Sequence, residues 1–199
     1  MRIKSTLMAA LAVLGLGITQ LDAAPTTAKL KPIDDVSHVQ MPTVDRDVMR
    51  IIDDQERAEG LPPRYAVPHP TLITPDAGGT WENLSPETRL WRLRVSSPGA
   101  VSINIGFTQY EMPAGASLAL RSVDGRYAIR PFNDGDNNAA RQLWTPPVAG
   151  GDMVIELTMP TAMLGRYSLE IGPINIGYRR FGAIPDPNEV TARSGACNT

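Results

Sequence analysis

The sequence predicts an all-β protein, an antiparallel β-sandwich or jelly roll, preceded by a signal peptide and one short amphipathic helix. Three observations predict it. Between Thr88 and Tyr178, apolar and polar residues alternate with period two in short runs, such as Trp91, Leu93 and Val95 against Arg92, Arg94 and Ser96. That is the pattern of half-buried strands. Turn signals separate these runs at intervals of roughly ten residues, the spacing of sandwich and barrel folds. Finally, 17 Gly and 18 Pro are spread along the 199 residues, which favours many short strands over long helices.

Residues 1–23 read as a secretory signal peptide. Arg2 and Lys4 form a basic start, Leu7 to Ile18 is apolar, and the small pair Ala23-Ala24 follows. The apolar run is too short to span a membrane. The cut is placed after Ala23, giving a mature start at Ala24, because a cut after Ala24 would put Asp22 at the restrictive third position and Pro25 just past the bond. No cysteine lies near this site, so lipid attachment there is excluded. The expected destination is the periplasm or the outside of the cell, with no membrane contact once the signal is removed. A net charge of −2 argues against nucleic acid as a partner, which would call for a basic face.

Residues 24–42 read as a flexible leader. A helix follows over 43–60, with Thr43 as its cap and Val44, Val48, Ile51 and Ile52 on one face. Asp45 and Asp47 suit the first turn, and Gly60 and Pro62 end it. A single short helix is marginal alone, so its apolar stripe is expected to dock. Residues 61–87 read as an irregular linker rich in Pro and Gly. The sandwich occupies 88–181, with strands around Trp91–Val95, Val101–Phe107, Leu118–Leu120, Tyr127–Ile129, Gln142–Thr145, Met153–Leu157, Tyr167–Ile171 and Ile174–Tyr178. The last two are offset by Gly172-Pro173. Residues 182–193 form a second linker, in which Pro185 and Pro187 favour extended backbone, and 194–199 close the chain.

No catalytic group is predicted. The two histidines, His38 in the leader and His69 between Pro68 and Pro70, sit where lone surface histidines usually do, and no G-x-S-x-G elbow is present. Two distant histidines and one cysteine make no zinc site, and no cofactor is expected. The run Asn133–Asn138 offers oxygens to calcium, but it lacks the EF-hand spacing and closing Glu, and reads as a solvated turn. Trp91 and Trp144 read as packing residues and Trp81 as the exposed tryptophan. The lone Cys197 is free, pairs between chains, or has its partner in sequence beyond Thr199.

Several segments carry a resemblance. Leu90-Trp91-Arg92-Leu93-Arg94-Val95-Ser96-Ser97-Pro98-Gly99-Ala100, then Met112–Leu118 with Ser122-Val123-Asp124-Gly125, then Gln142–Val148 with Gly150-Gly151-Asp152 and Val154–Leu157, resemble the N-terminal domain of secreted lysyl-endopeptidase-like serine proteases. Ser194-Gly195-Ala196-Cys197-Asn198 is similar to the opening of the mature enzyme in that family. The resemblance implies a pro-region that holds a chymotrypsin-like catalytic domain, its natural partner. It implies release at the Arg193–Ser194 bond, and Cys197 as half of a disulfide whose other half lies outside this chain. The parent's preference for Lys or Arg stays open, as does the choice between inhibition, assisted folding and assisted export. The alternatives are a secreted β-sandwich that binds carbohydrate or cell-wall polymer, and a surface module linked through Cys197.

Overall fold

The computed structural model describes residues 29–180. Ten strands form two sheets: β1 (His38–Gln40), β2 (Ala66–His69), β3 (Thr80–Ser85), β4 (Thr88–Ser96), β5 (Ser102–Glu111), β6 (Ser117–Ser122), β7 (Leu143–Trp144), β8 (Val148–Ala149), β9 (Asp152–Pro160) and β10 (Ser168–Gly177). One α-helix, α1 (Arg46–Ala58), lies between β1 and β2. The first sheet runs β1-β4-β9-β6, with β3 also on β4; the second runs β2-β10-β5-β7, with β8 also on β5. Every pairing is antiparallel except β1 with β4. The predicted all-β sandwich is the observed fold.

The period-two alternation decides which side of each strand is dry. Trp91, Leu93 and Val95 of β4 and Met153, Ile155, Leu157 and Met159 of β9 face Ile103, Ile105 and Phe107 of β5 and Ile174 and Ile176 of β10, all at most 1% exposed. Each such side chain contributes about 1.5–3 kcal/mol by leaving water. The offset at Gly172-Pro173 is a one-residue bulge. Ile171 pairs with Phe107 and Ile174 with Ile105, so three steps on β10 match two on β5. The bulge keeps both isoleucines in the core, as an unbroken strand could not. Trp91 is fully buried, and its indole N–H donates to the Gly78 carbonyl at 2.7 Å. A Cβ at Gly79, whose φ is +84°, would collide with that ring.

Four regions depart from the sequence reading. Residues 29–42 of the expected leader are structured: β1 pairs in parallel with β4, and the His38 ring hydrogen-bonds the Ser96 hydroxyl at 2.8 Å. The expected linker 61–87 contains β2 and β3, so His69 lies on a strand opposite Ile174 rather than in a loop. The helix starts at Arg46, capped by Asp45 and not Thr43, because the Asp45 carboxylate accepts from the Asp47 and Val48 N–H groups. Tyr127–Ile129 forms no strand; two isolated bridges, Arg121 to Ala128 and Leu118 to Phe132, line it along β6.

The helix also docks differently. Val44, just before it, is buried, but Val48 and Ile51 are 50% and 57% exposed. Met49, Ile52, Asp53 and Glu56 face inward instead. A polar clamp, beside Met49 packed against the core, fixes α1 to the sandwich, and Val48 and Ile51 take no part.

Candidate functional site

That clamp sits at the end of the sandwich where β10 finishes. The Asp53 side chain is 3% exposed. One of its oxygens accepts from the Tyr178 hydroxyl and the other from the Arg179 guanidinium, each at 2.8 Å. A buried carboxylate needs such partners to stay charged. Arg64 pairs with Glu56 of α1 at 2.8 Å beside it. Burial, and then donation to Asp53, push the Tyr178 hydroxyl up to about 12. The clamp therefore ties the helix to the residues that follow the last strand.

Three of the segments that carry the family resemblance meet at this same end. The Ser97 N–H donates to Gly151 at 2.8 Å, the Gly150 N–H to Val101 at 2.9 Å, and the Val123 N–H to Asp152 at 3.0 Å. Their turns wall a cavity of about 360 Å3 between Ser122–Asp124, Arg126–Tyr127 and Ala149–Asp152, with largely apolar walls. Asp124 stands at its rim. The Ser122 hydroxyl donates to it at 2.6 Å and the Arg126 N–H at 3.0 Å, and these bonds hold its carboxyl below the usual range. The cavity can hold an apolar side chain. Its walls carry no histidine or cysteine, so they offer no base–nucleophile pair.

The two sheets present opposite outer faces. On the first sheet, the Arg94 guanidinium donates twice to Asp152, at 3.0 and 2.7 Å, and Arg121 donates twice to Glu156, at 3.0 and 2.9 Å. Arg92 pairs with Glu82. Val154 stands in register between Arg94 and Arg121 and is fully buried, as happens under the aliphatic stems of long cations. On the second sheet, the positions alternating with the buried isoleucines are Ser102, Asn104 and Gly106 of β5 and Asn175 and Gly177 of β10. None of these carries a charge; further along β10 the Glu170 carboxylate accepts from the Thr108 hydroxyl at 2.6 Å. Trp144 of β7 pairs with Gly106 and is 57% exposed, and a Cβ on Gly106 would meet its ring at 2.5 Å. The missing side chain lets the indole lie against the sheet.

The predicted processing residues, Ala23, Ala24, Arg193, Ser194 and Cys197, lie outside the described residues. Among the described residues no cluster of three or more His, Cys, Asp or Glu could hold a metal. The Asn133–Asn138 run is a tied structural turn. The Asn133 side chain accepts from Gly135, Asp136 accepts from Arg130 and the Asn133 N–H, and Asn137 exchanges two hydrogen bonds with the Met112 backbone. Those oxygens are committed to protein donors. The tryptophans exchange roles relative to the sequence reading: Trp81 is half-buried, donates to the Pro75 carbonyl and lies 5.7 Å from Arg89, while Trp144 is the exposed one. Sequence reasoning missed Asp53, Asn104 and Trp144. For Asn104, its even position in the β5 alternation was the available signal.

Fold and site together define a β-sandwich domain in which, among the described residues, no cluster of three or more metal-ligating side chains is present. Residues 74–171 match the family model of the lysyl endopeptidase N-terminal domain. The sandwich is thus a lysyl endopeptidase N-terminal domain, a protease-associated N-terminal region of a protease precursor. The matched span runs from the turn before β3 to the bulge of β10, and does not reach the Ser194–Asn198 segment. No solved structure matches the chain. No helix among the described residues is long and apolar enough to cross a membrane.

Proposed function

We propose that this chain is the exported pro-region of a serine endopeptidase precursor, cut from the catalytic domain after Arg193. The observation that carries this reading is the match of the sandwich to the lysyl endopeptidase N-terminal family. Residues 1–23 direct export, and the sandwich is the folded body that the catalytic domain meets. The bond between Arg193 and Ser194 is the release point. Cys197 belongs to the first residues of the mature enzyme. Pro185 and Pro187 support the release role, since each biases the residue before it toward the extended backbone that a protease cleft binds. Arg193 is permanently charged and suits an acidic specificity pocket.

The test is processing of the full precursor. Arg193→Gln is expected to accumulate uncut with little activity, while Arg180→Gln, which removes the nearest upstream arginine, matures normally. N-terminal sequencing of the wild-type enzyme should read from Ser194. An enzyme starting well before Phe181, or full activity in uncut Arg193→Gln, removes the processing role.

A further inference from the structure

The outer face of the second sheet is unusual for this chain, one-fifth of whose residues are charged. In one row across the strands, Pro68, Asn175 and Asn104 stand side by side; in the next, Ala66, Gly177, Ser102 and Ala149. Neither row holds an ionised group. Asn104 is only 7% exposed, yet its side chain makes no hydrogen bond among the described residues, and neither does that of its cross-strand neighbour Asn175. Ile103 and Ile105, on either side of Asn104, point into the core, so alternation aims its amide at this outer face. Its amide atoms are not sealed from water, so they can exchange that water for polar groups of a docked surface. Beside it, Trp144 exposes more than half of its surface while seated on Gly106. Depletion of charge around a rigid aromatic anchor is the composition of an interface core.

The occupant follows from where the chain goes. β10 contributes Asn175 and Gly177 to this face and is the strand from which residues 178–193 continue. The 13 residues from 181 to 193 span at most about 47 Å, whereas β10, with ten residues, is about 33 Å long. A domain tethered there reaches the whole face at high effective concentration. The outer face of the first sheet instead carries Arg92, Arg94 and Arg121, each paired with a carboxylate.

We propose that the outer face of the second sheet, centred on Trp144, Asn104 and Asn175, is the surface on which the precursor's own catalytic domain docks, with Trp144 as the anchor. This rests on the pro-region reading above. The Trp144 indole enters a recess on the protease, and the two amides hydrogen-bond its backbone or polar side chains.

The test measures binding of the full chain to the mature protease, with the active serine blocked by phenylmethanesulfonyl fluoride to prevent digestion. Trp144→Ala is expected to weaken binding at least tenfold, and Trp144→Phe to restore most of it. Asn175→Asp, which adds a charge to a half-buried exposed-face position, should weaken it comparably. Arg121→Ala on the first sheet should leave it unchanged. Matching thermal melts for wild type and variants show that the fold is retained, and Asn175→Asp carries the test if Trp144→Ala melts early. Wild-type binding with unchanged affinity in both variants overturns the docking face but leaves the pro-region reading intact. Absence of wild-type binding overturns both. Retention on insoluble peptidoglycan that is lost in Trp144→Ala, with protease binding unaffected, overturns docking in favour of a glycan-binding face.

Discussion

On the outer face of the first sheet, Arg94 and Arg121 each grip a carboxylate with two donors. On the outer face of the second, Asn104 and Asn175 stand opposite each other with no side-chain hydrogen bond among the described residues, and the exposed Trp144 indole lies against Gly106. Both faces arise from the same alternation over one core. The difference lies in where each face finds its partners. Paired arginines are satisfied by neighbours on their own sheet and suit water. Uncharged amides with no protein partner, on the face that carries an exposed tryptophan, suit contact with something else. Under the proposed pro-region role, one face closed by its own ion pairs and one that is not would give the docking a direction.

The largest effect should come from the core beneath both faces, where the comparison must vanish. Ile155, from the first sheet, is fully buried, and Ile155→Asp places an unpaired carboxylate there. That change should cost several kcal/mol and unfold the domain; a melting temperature equal to wild type would break the shared-core description. The next effect concerns the clamp. Asp53→Ala should cost about 1–3 kcal/mol, because it strands the Tyr178 hydroxyl and the Arg179 guanidinium, while Ile51→Ala on the exposed side of α1 should stay within about 0.5 kcal/mol. Equal effects would mean that the helix is held by its apolar residues after all. The smallest effect is a pH dependence. The folded Tyr178 hydroxyl titrates at about 12, above its ordinary value of about 10. Its contribution is complete below about pH 10 and is lost as pH rises toward 12. A denaturant midpoint that follows this alkaline limb in wild type, and less steeply in Tyr178→Phe, checks it.

Much of this was legible in the sequence. β4, β5 and β9 alternate through Trp91–Val95, Ile103–Phe107 and Met153–Met159, and burial of one side of those runs leaves no other reading. The bulge at Gly172-Pro173 was visible as an offset between two alternating runs. What escaped was set by distant partners. Whether Val48 and Ile51 or Asp53 faces inward depends on Tyr178 and Arg179, more than a hundred residues away, and helical spacing alone favours the apolar pair. β1, β2 and β3 are short, and β2 includes Pro68, so their hydropathy shows little period. β7 has two residues, too few for alternation to say which side Trp144 takes; only its seat on Gly106 shows that. The family motifs pointed to a protease precursor without indicating that three of them converge at one end of the sandwich.

The central claim is that the catalytic domain covers the second sheet and leaves the first open. Hydroxyl-radical footprinting of the full precursor against the isolated chain tests it most directly, read by mass spectrometry at the three tryptophans. Trp91 is fully buried and Trp81 half-buried, whereas Trp144 is 57% exposed. The account predicts that Trp144 oxidises readily in the isolated chain and is protected in the precursor, while Trp81 and Trp91 change little. Equal oxidation of Trp144 in both forms, with protection appearing instead on Arg121 or Arg94, would contradict it.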